Sequence, residues 1–194
     1  RETLEIPAGK LDSESEDCFE AAMRELREET GLCAKSLISI GEVAFYACTS
    51  LARFEFPETV RKIDQEAFGA CISLCEVALP EKIEELGSAA FSYCSSLTIV
   101  DLEGLKKIPE KAFLRCSTLG KIVLTDNVTE VGAQAFRGCE RLSDLYVSKS
   151  VKSFGASAFS ACPELKIRYA GSSSAWDKIE KTDSELDTSG VKIE

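Results

Sequence analysis

The sequence predicts a repeat solenoid, mainly β, preceded by a helix placed to cap one end of it. Three observations carry this reading. The unit Ala-Phe-x-x-Cys recurs with its cysteine at positions 48, 71, 94, 116, 139 and 162, so the spacing is 23 residues at every step but one, which is 22. A fixed period of this length is the mark of stacked supersecondary units. Within each unit, apolar residues alternate as they do on a half-buried strand, whereas residues 13–30, ahead of the repeats, carry the i, i+3, i+4, i+7 pattern of an amphipathic helix.

The first segment covers residues 1–36. Ser13 followed by Glu16 fits a capping box, acidic residues crowd the first turn, and Gly31 stands where the helix would end. Phe19, Ala22, Met23 and Leu26 form the apolar stripe, while Glu25, Glu28 and Glu29 converge on a flank. Carboxylates grouped in this way suit a magnesium ion, which would neutralise a diphosphate and orient an attacking water, with Arg24 placed to fix one glutamate. The run Arg24-Glu25-Leu26, Glu28-Glu29, Gly31-Leu32, with "LEIPAGKL" upstream, resembles the Nudix signature in its ADP-ribose pyrophosphatase form. That resemblance implies a magnesium-dependent diphosphate hydrolase. Two departures weigh against carrying the activity over. Six residues separate Gly9 from Glu16 where the family pattern has five, and after Val43 the likeness stops, before the remaining strands, ligands and pocket of that fold. The chain starts at Arg1 without an initiator Met and so reads as a piece of something longer.

The second segment, 37–180, is the repeat array. Each unit reads Leu-x-x-apolar-x-apolar, then a turn, a second apolar pair, and Ala-Phe-x-x-Cys, most plainly in "LCEVALPEKIEELGSAAFSYCSS" from Leu74 to Ser96. Leu51, Phe54 and Phe56, or Leu74, Val77 and Leu79, are expected to point inward on one strand. Val60 and Ile63, or Ile83 and Leu86, oppose them, and the Phe closes the third side. One unit cannot bury its apolar face alone, but stacked at about 4.8 Å per strand the units share a core. At about 1.5–3 kcal/mol for each buried Phe or Leu, such layers need no globular domain beside them. The unit containing "EGLKKIPEKAF", from Glu103, is one residue short and predicts a local irregularity without a break.

This pattern resembles the BspA-like, bacterial surface-antigen class of leucine-rich repeat, and "IRYAGSSSAWDKIE", from Ile167 to Glu180, is similar to the way arrays of that class end. The resemblance implies a right-handed leucine-rich repeat array that is non-catalytic, with a sheet face binding a protein or glycan partner, on a cell surface or secreted. "LISIGEVAF", from Leu37 to Phe45, satisfies both the Nudix and the repeat readings, so the join falls where they coincide. The helix stripe would then lie across the open apolar end of the array as an N-terminal cap. The third segment, 181–194, is a polar tail expected to be loosely ordered, although Val191 and Ile193 suit a terminal strand.

Composition narrows the function further. The net charge is −10, and the first 33 residues hold 4 basic and 10 acidic side chains. An acidic chain with no basic cluster along its sequence is a poor partner for nucleic acid or an anionic membrane. Histidine is absent, which removes Ser-His-Asp and Cys-His catalysis and most zinc chemistry. No apolar run reaches the length of a membrane span and none reads as a signal peptide. Neither a metal nor a cofactor is expected outside the Nudix reading, and a monomer is expected.

Cysteines that recur once per coil should stack as a ladder of small buried thiols and not as pairs, and no Cys-x-x-Cys cluster points to a metal. The sequon at Asn127 is taken as incidental because Val128 is a core position. Since side chains alternate across a strand, Ile99 and Asp101, Lys121 and Val123, Asp144 and Tyr146 should face out of the sheet. Ile99, Val123 and Tyr146 could form an apolar ridge edged by Asp101, Lys121 and Asp144, a candidate centre for a protein contact. The plainer account is that β-branched residues simply suit a strand.

Overall fold

The computed structural model describes residues 39–182 and 191–193, and there the chain is a β-solenoid with almost no helix. Each repeat makes one coil with two short strands and a turn that carries the Ala-Phe pair. One face holds β1 (Ser39–Ile40), β2 (Lys62–Ile63), β4 (Glu85–Leu86), β6 (Lys107–Ile108), β8 (Glu130–Val131), β10 (Ser153–Phe154) and β12 (Glu180–Lys181). The other holds β3 (Glu76–Ala78), β5 (Ile99–Asp101), β7 (Lys121–Leu124), β9 (Asp144–Val147), β11 (Lys166–Tyr169) and β13 (Lys192–Ile193). Every described pairing is parallel and joins equivalent positions of neighbouring coils, as in Ile122↔Leu145↔Ile167. The predicted helix over 13–30 and its capping role lie outside the described residues.

Translation by one coil places like on like. Phe45, Phe68, Phe91, Phe113, Phe136 and Phe159 stack with centroids 4.9, 5.3, 5.7, 5.4 and 5.5 Å apart. At these separations each ring pair adds about 0.5–1.5 kcal/mol beyond its buried area. Leu74, Leu97, Leu119 and Leu142 form a second buried column, and Ile63, Ile108 and Val131 lie in a third. Phe54 and Phe56 are half-buried and meet Phe68 edge-on at 5.0 and 5.4 Å. Their segment makes only the bridge Arg53↔Glu76 and no regular strand.

A third hydrogen-bond ladder runs along the Phe turns. The amides of Val43, Phe45 and Ala47 donate to the carbonyls of Gln65, Ala67 and Gly69 in the next coil, and the same triplet repeats at each later interface through Gly138 to Ser160. Reaching these acceptors forces two residues per turn into the left-handed region. They flank the Phe at two positions before and two after, for example Ala89 (φ 54°) and Tyr93 (φ 61°), and only Gly138 among them is a glycine. Close coil approach explains a different glycine, Gly87: a Cβ there would lie 2.3 Å from the carbonyl carbon of Asp64.

The short repeat interrupts both strand faces, which is more than the local irregularity expected. Strands β4 and β6 are not paired, nor are β5 and β7, so the first face is divided before the short coil and the second face after it. Two local causes are visible. In full-length units the second inward strand residue is followed by a separate turn residue, as Leu79 is by Pro80, whereas Leu102 does both jobs and accepts the turn bond from Leu105 at 3.0 Å. In addition, Pro109 stands where Gly87, Gly132 and Gly155 donate to the preceding coil, and proline has no N–H to give. The Phe-turn ladder is unbroken there, since Phe91 donates to Ala112 at 2.9 Å. The side chain of Asn127 is exposed and spans the same region by donating to the Glu103 carbonyl at 2.7 Å.

At the C-terminal end, Tyr169 and Trp176 are buried with ring centroids 5.2 Å apart, and Trp176 also meets Phe154. The four-residue helix α1 (Ser173–Trp176) is started by Ser172, whose hydroxyl accepts from the Ala175 amide. Lys181 sits over the Trp176 ring at 4.8 Å. Lys192–Ile193 forms the terminal strand β13, paired with β11, while residues 183–190 of the tail lie outside the described residues.

A candidate interaction face on the second strand row

The second strand face is where outward side chains converge. In β7 the alternation buries Ile122 and Leu124 and exposes Lys121 and Val123, and β9 repeats it with Asp144 and Tyr146 half-exposed. Registers are Lys121↔Asp144↔Lys166 and Val123↔Tyr146↔Arg168. Lys121, Val123, Asp144, Tyr146 and Arg168 line a shallow concavity of about 240 Å3. Asp144 accepts from Arg168 at 2.7 Å and from the Ser143 hydroxyl at 3.1 Å. The Arg168 hydrogen bond, above all, holds the exposed Asp144 carboxyl below its ordinary range.

Four of the six predicted residues are therefore brought together. Ile99, 56 % exposed, and Asp101 lie on β5, across the interruption between the strand ladders. Ile99 pairs with Glu76 and occupies the strand position of Lys121, so it does not share the register row of Val123 and Tyr146. Asp101 is engaged locally, accepting from the Glu103 amide at 3.0 Å. Arg168 is the residue that sequence reasoning missed. The alternation used for the earlier strands extends to "KIRY" and would have placed it outward.

The opposite face carries a groove of about 600 Å3, bordered by paired charges such as Lys107–Glu130 at 2.8 Å and floored by Ile108, Val131 and Phe154. Its alternating signs favour in-register stacking of unlike charges.

The cysteine ladder is present with one exception. Cys71, Cys94, Cys116, Cys139 and Cys162 are in no disulfide, and each thiol donates to the carbonyl of the Phe one coil earlier at 3.0 to 3.3 Å. Burial pushes the Cys71 thiol up to about 12 and raises Cys94, Cys116 and Cys139 further. Cys48 is instead disulfide-bonded, which corrects the expectation that no member pairs. As the first ladder position it has no preceding repeat Phe carbonyl to receive its thiol. Among the described residues no group of three or more His, Cys, Asp or Glu side chains is placed to hold a metal ion. Arg24, Glu25, Glu28 and Glu29 lie outside the described residues.

Stacked coils of parallel strands around a Leu and Phe core define the leucine-rich-repeat class. Within it, residues 38–166 match the BspA type Leucine rich repeat region in six copies, and the chain belongs to that family. A leucine rich cell surface protein from Faecalibacterium prausnitzii A2-165 is 35% identical, with TM-score 0.64 over 69% of this chain and 35% of its own. The T. pallidum Leucine Rich Repeat protein is 33% identical, with TM-score 0.64 over 69% of this chain and 66% of its own. A leucine-rich repeat protein from Eubacterium ventriosum ATCC 27560, 20% identical with TM-score 0.64 over 80% of this chain and 43% of its own, shares the fold. The chain thus spans about a third of the first relative's length and just under two thirds of the second's. No curated protein sequence matches it significantly.

Proposed function

We propose that the chain is a non-catalytic interaction module that binds a protein or glycan partner at a bacterial cell surface. The observation that carries this is the concavity around Val123, Tyr146 and Arg168, where an apolar centre sits inside a charged rim on a rigid strand face. Tyr and Arg are the residue types that concentrate binding energy in interfaces. The Asp144–Arg168 pair holds the guanidinium in place before a partner arrives and leaves other N–H donors available. The surface location rests on membership of the family and on the F. prausnitzii relative being a leucine rich cell surface protein.

The test is capture of partners from host or bacterial surface extracts by the wild-type chain and by the combined variant Ile99→Ser, Val123→Ser and Tyr146→Ser, with folding checked by circular dichroism. Loss of a partner that a Glu84→Ser control retains is expected. If the triple variant keeps every partner of the wild type, the contact lies elsewhere.

A further inference from the structure

The Phe-turn face carries a second surface that owes nothing to the strand face. A groove of about 330 Å3 runs along the solenoid axis there, between two rows of equivalent positions. One row is the left-handed position two residues after each Phe, which presents Tyr93, Arg115 and Gly138 in successive coils. The other follows each cysteine and presents Ile72, Ser95, Ser117 and Glu140. Tyr93 is 48% exposed. The Arg115 side chain reaches over Gly138, where an added Cβ would lie 3.1 Å from its Cγ.

Folding gathers charge here that is scattered in the sequence. The Arg115 amide donates to the Arg137 carbonyl at 2.8 Å and the Arg141 amide to the Ser117 carbonyl at 3.2 Å, so the backbones of Arg137 and Arg141 stand on the coil next to that of Arg115, the basic residue that lines the groove. All are exposed, and none is ion-paired to a carboxylate among the described residues. Glu140 is the only acidic residue lining the groove. Unpaired like charges set side by side do not help a chain fold. Nor do Tyr93 and Arg115 on left-handed backbone, where other coils carry Ala47, Ala70, Gly138 and Ala161 in this row, although the companion left-handed row holds Val43, Glu66, Lys111 and Gln134. Features that oppose stability in one place point to a ligand there.

We propose that this groove binds an acidic polysaccharide. A sugar ring lies against the Tyr93 face, whose apolar body and polar tip suit it. A carboxylate or sulfate substituent meets Arg115, reinforced by the field of Arg137 and Arg141. Two coil rises separate Tyr93 from Gly138, a span of about 10 Å, which accommodates roughly a disaccharide. Three arginines on a chain of net charge −10 do not supply the extended basic footprint that duplex nucleic acid requires.

The experiment is a binding titration of the full chain by interferometry against oligogalacturonate, dextran sulfate, neutral dextran and poly-aspartate of matched length. Binding to one or both acidic glycans is expected, the two arms separating carboxylate from sulfate recognition, with none to neutral dextran. Affinity should fall about tenfold or more between 50 and 300 mM salt. Tyr93→Asn and Arg115→Asn use a residue that tolerates left-handed backbone, and each should weaken binding by about fivefold or more. Lys107→Asn and Glu84→Ser on the first strand face, outside both this groove and the proposed strand-face contact, should change it by less than about twofold. Absence of binding to both acidic glycans overturns the proposal. So does equal loss in Arg115→Asn and Lys107→Asn. Poly-aspartate bound as tightly as the glycans and indifferent to Tyr93→Asn would assign the groove to acidic protein segments instead.

Discussion

The thiol of Cys116 donates a 3.2 Å hydrogen bond to the carbonyl oxygen of Phe91, the aromatic residue one coil earlier. That oxygen also accepts the amide of Cys94 from its own coil at 3.4 Å, so the side chain takes its second lone pair. The ladder is thus a device for satisfying a buried carbonyl once per coil.

Reactivity should follow this order. With a maleimide and mass spectrometry on the native chain, half-buried Cys75 and Cys162 should label first, while Cys71, Cys94, Cys116 and Cys139 wait for denaturant. Disulfides between ladder members would contradict the arrangement.

Stability should decline in alkali. Buried thiols whose folded values are raised above the ordinary 9.0, Cys71 to about 12, keep their protons while the unfolded chain loses them. Their contribution is therefore fully present below pH 9 and is lost as pH rises from 9 through the folded values, by up to about 1.4 kcal/mol per pH unit for each thiol. Urea midpoints at pH 8, 9 and 10 measure it, and Cys94→Ala should flatten the decline.

Phe91 is fully buried between Phe68 and Phe113, whereas Glu84 is exposed. Phe91→Ala should lower stability by roughly 3–5 kcal/mol and Glu84→Ala by less than about 0.5 kcal/mol. Equal shifts in the unfolding midpoint would mean that the repeat phase is misassigned.

The left-handed positions should respond in opposite directions to opposite changes. Gly138→Ala brings a Cβ into a φ of 75° and should destabilise by about 1–2 kcal/mol. Ala70→Gly relieves a φ of 58° and should stabilise by about 0.5–1 kcal/mol, net of the freer unfolded chain. Chemical denaturation of both variants measures the pair.

The Nudix-like stretch makes a separate prediction. With excess magnesium the purified chain should not turn over ADP-ribose above background. Hydrolysis that disappears on Glu29→Gln would show that the signature glutamates act.

The stacked architecture was legible because the same inward set recurs: Leu74, Val77, Ile83, Leu86 and Phe91 each repeat one coil on, and any single match is supported by the others. Outward placement of Val123 and Tyr146 followed from the two-residue alternation of strands. What escaped the sequence depends on distances between coils. Pro109 does not announce that its position is a donor site, and the left-handed turns at Tyr93 and Arg115 carry no glycine to mark them. Arg115 and Arg137 lie 22 residues apart in the chain, so neither looks like part of a cluster until the coils stack. The disulfide at Cys48 is hidden by the very periodicity that explains the other five cysteines.

Because the bonds that join successive coils cross from each coil to the next, a pull applied between the two ends would load them end-on, one interface after another. The solenoid should therefore yield under tension by unzipping. Each coil released would add 22 or 23 residues of slack, roughly 80 Å of extended chain. The first interfaces to give should be the two that flank the short coil of Leu102 and Pro109, each of which lacks one of its two strand ladders. An array built this way would behave as an extensible spring that lengthens in steps and recovers by restacking.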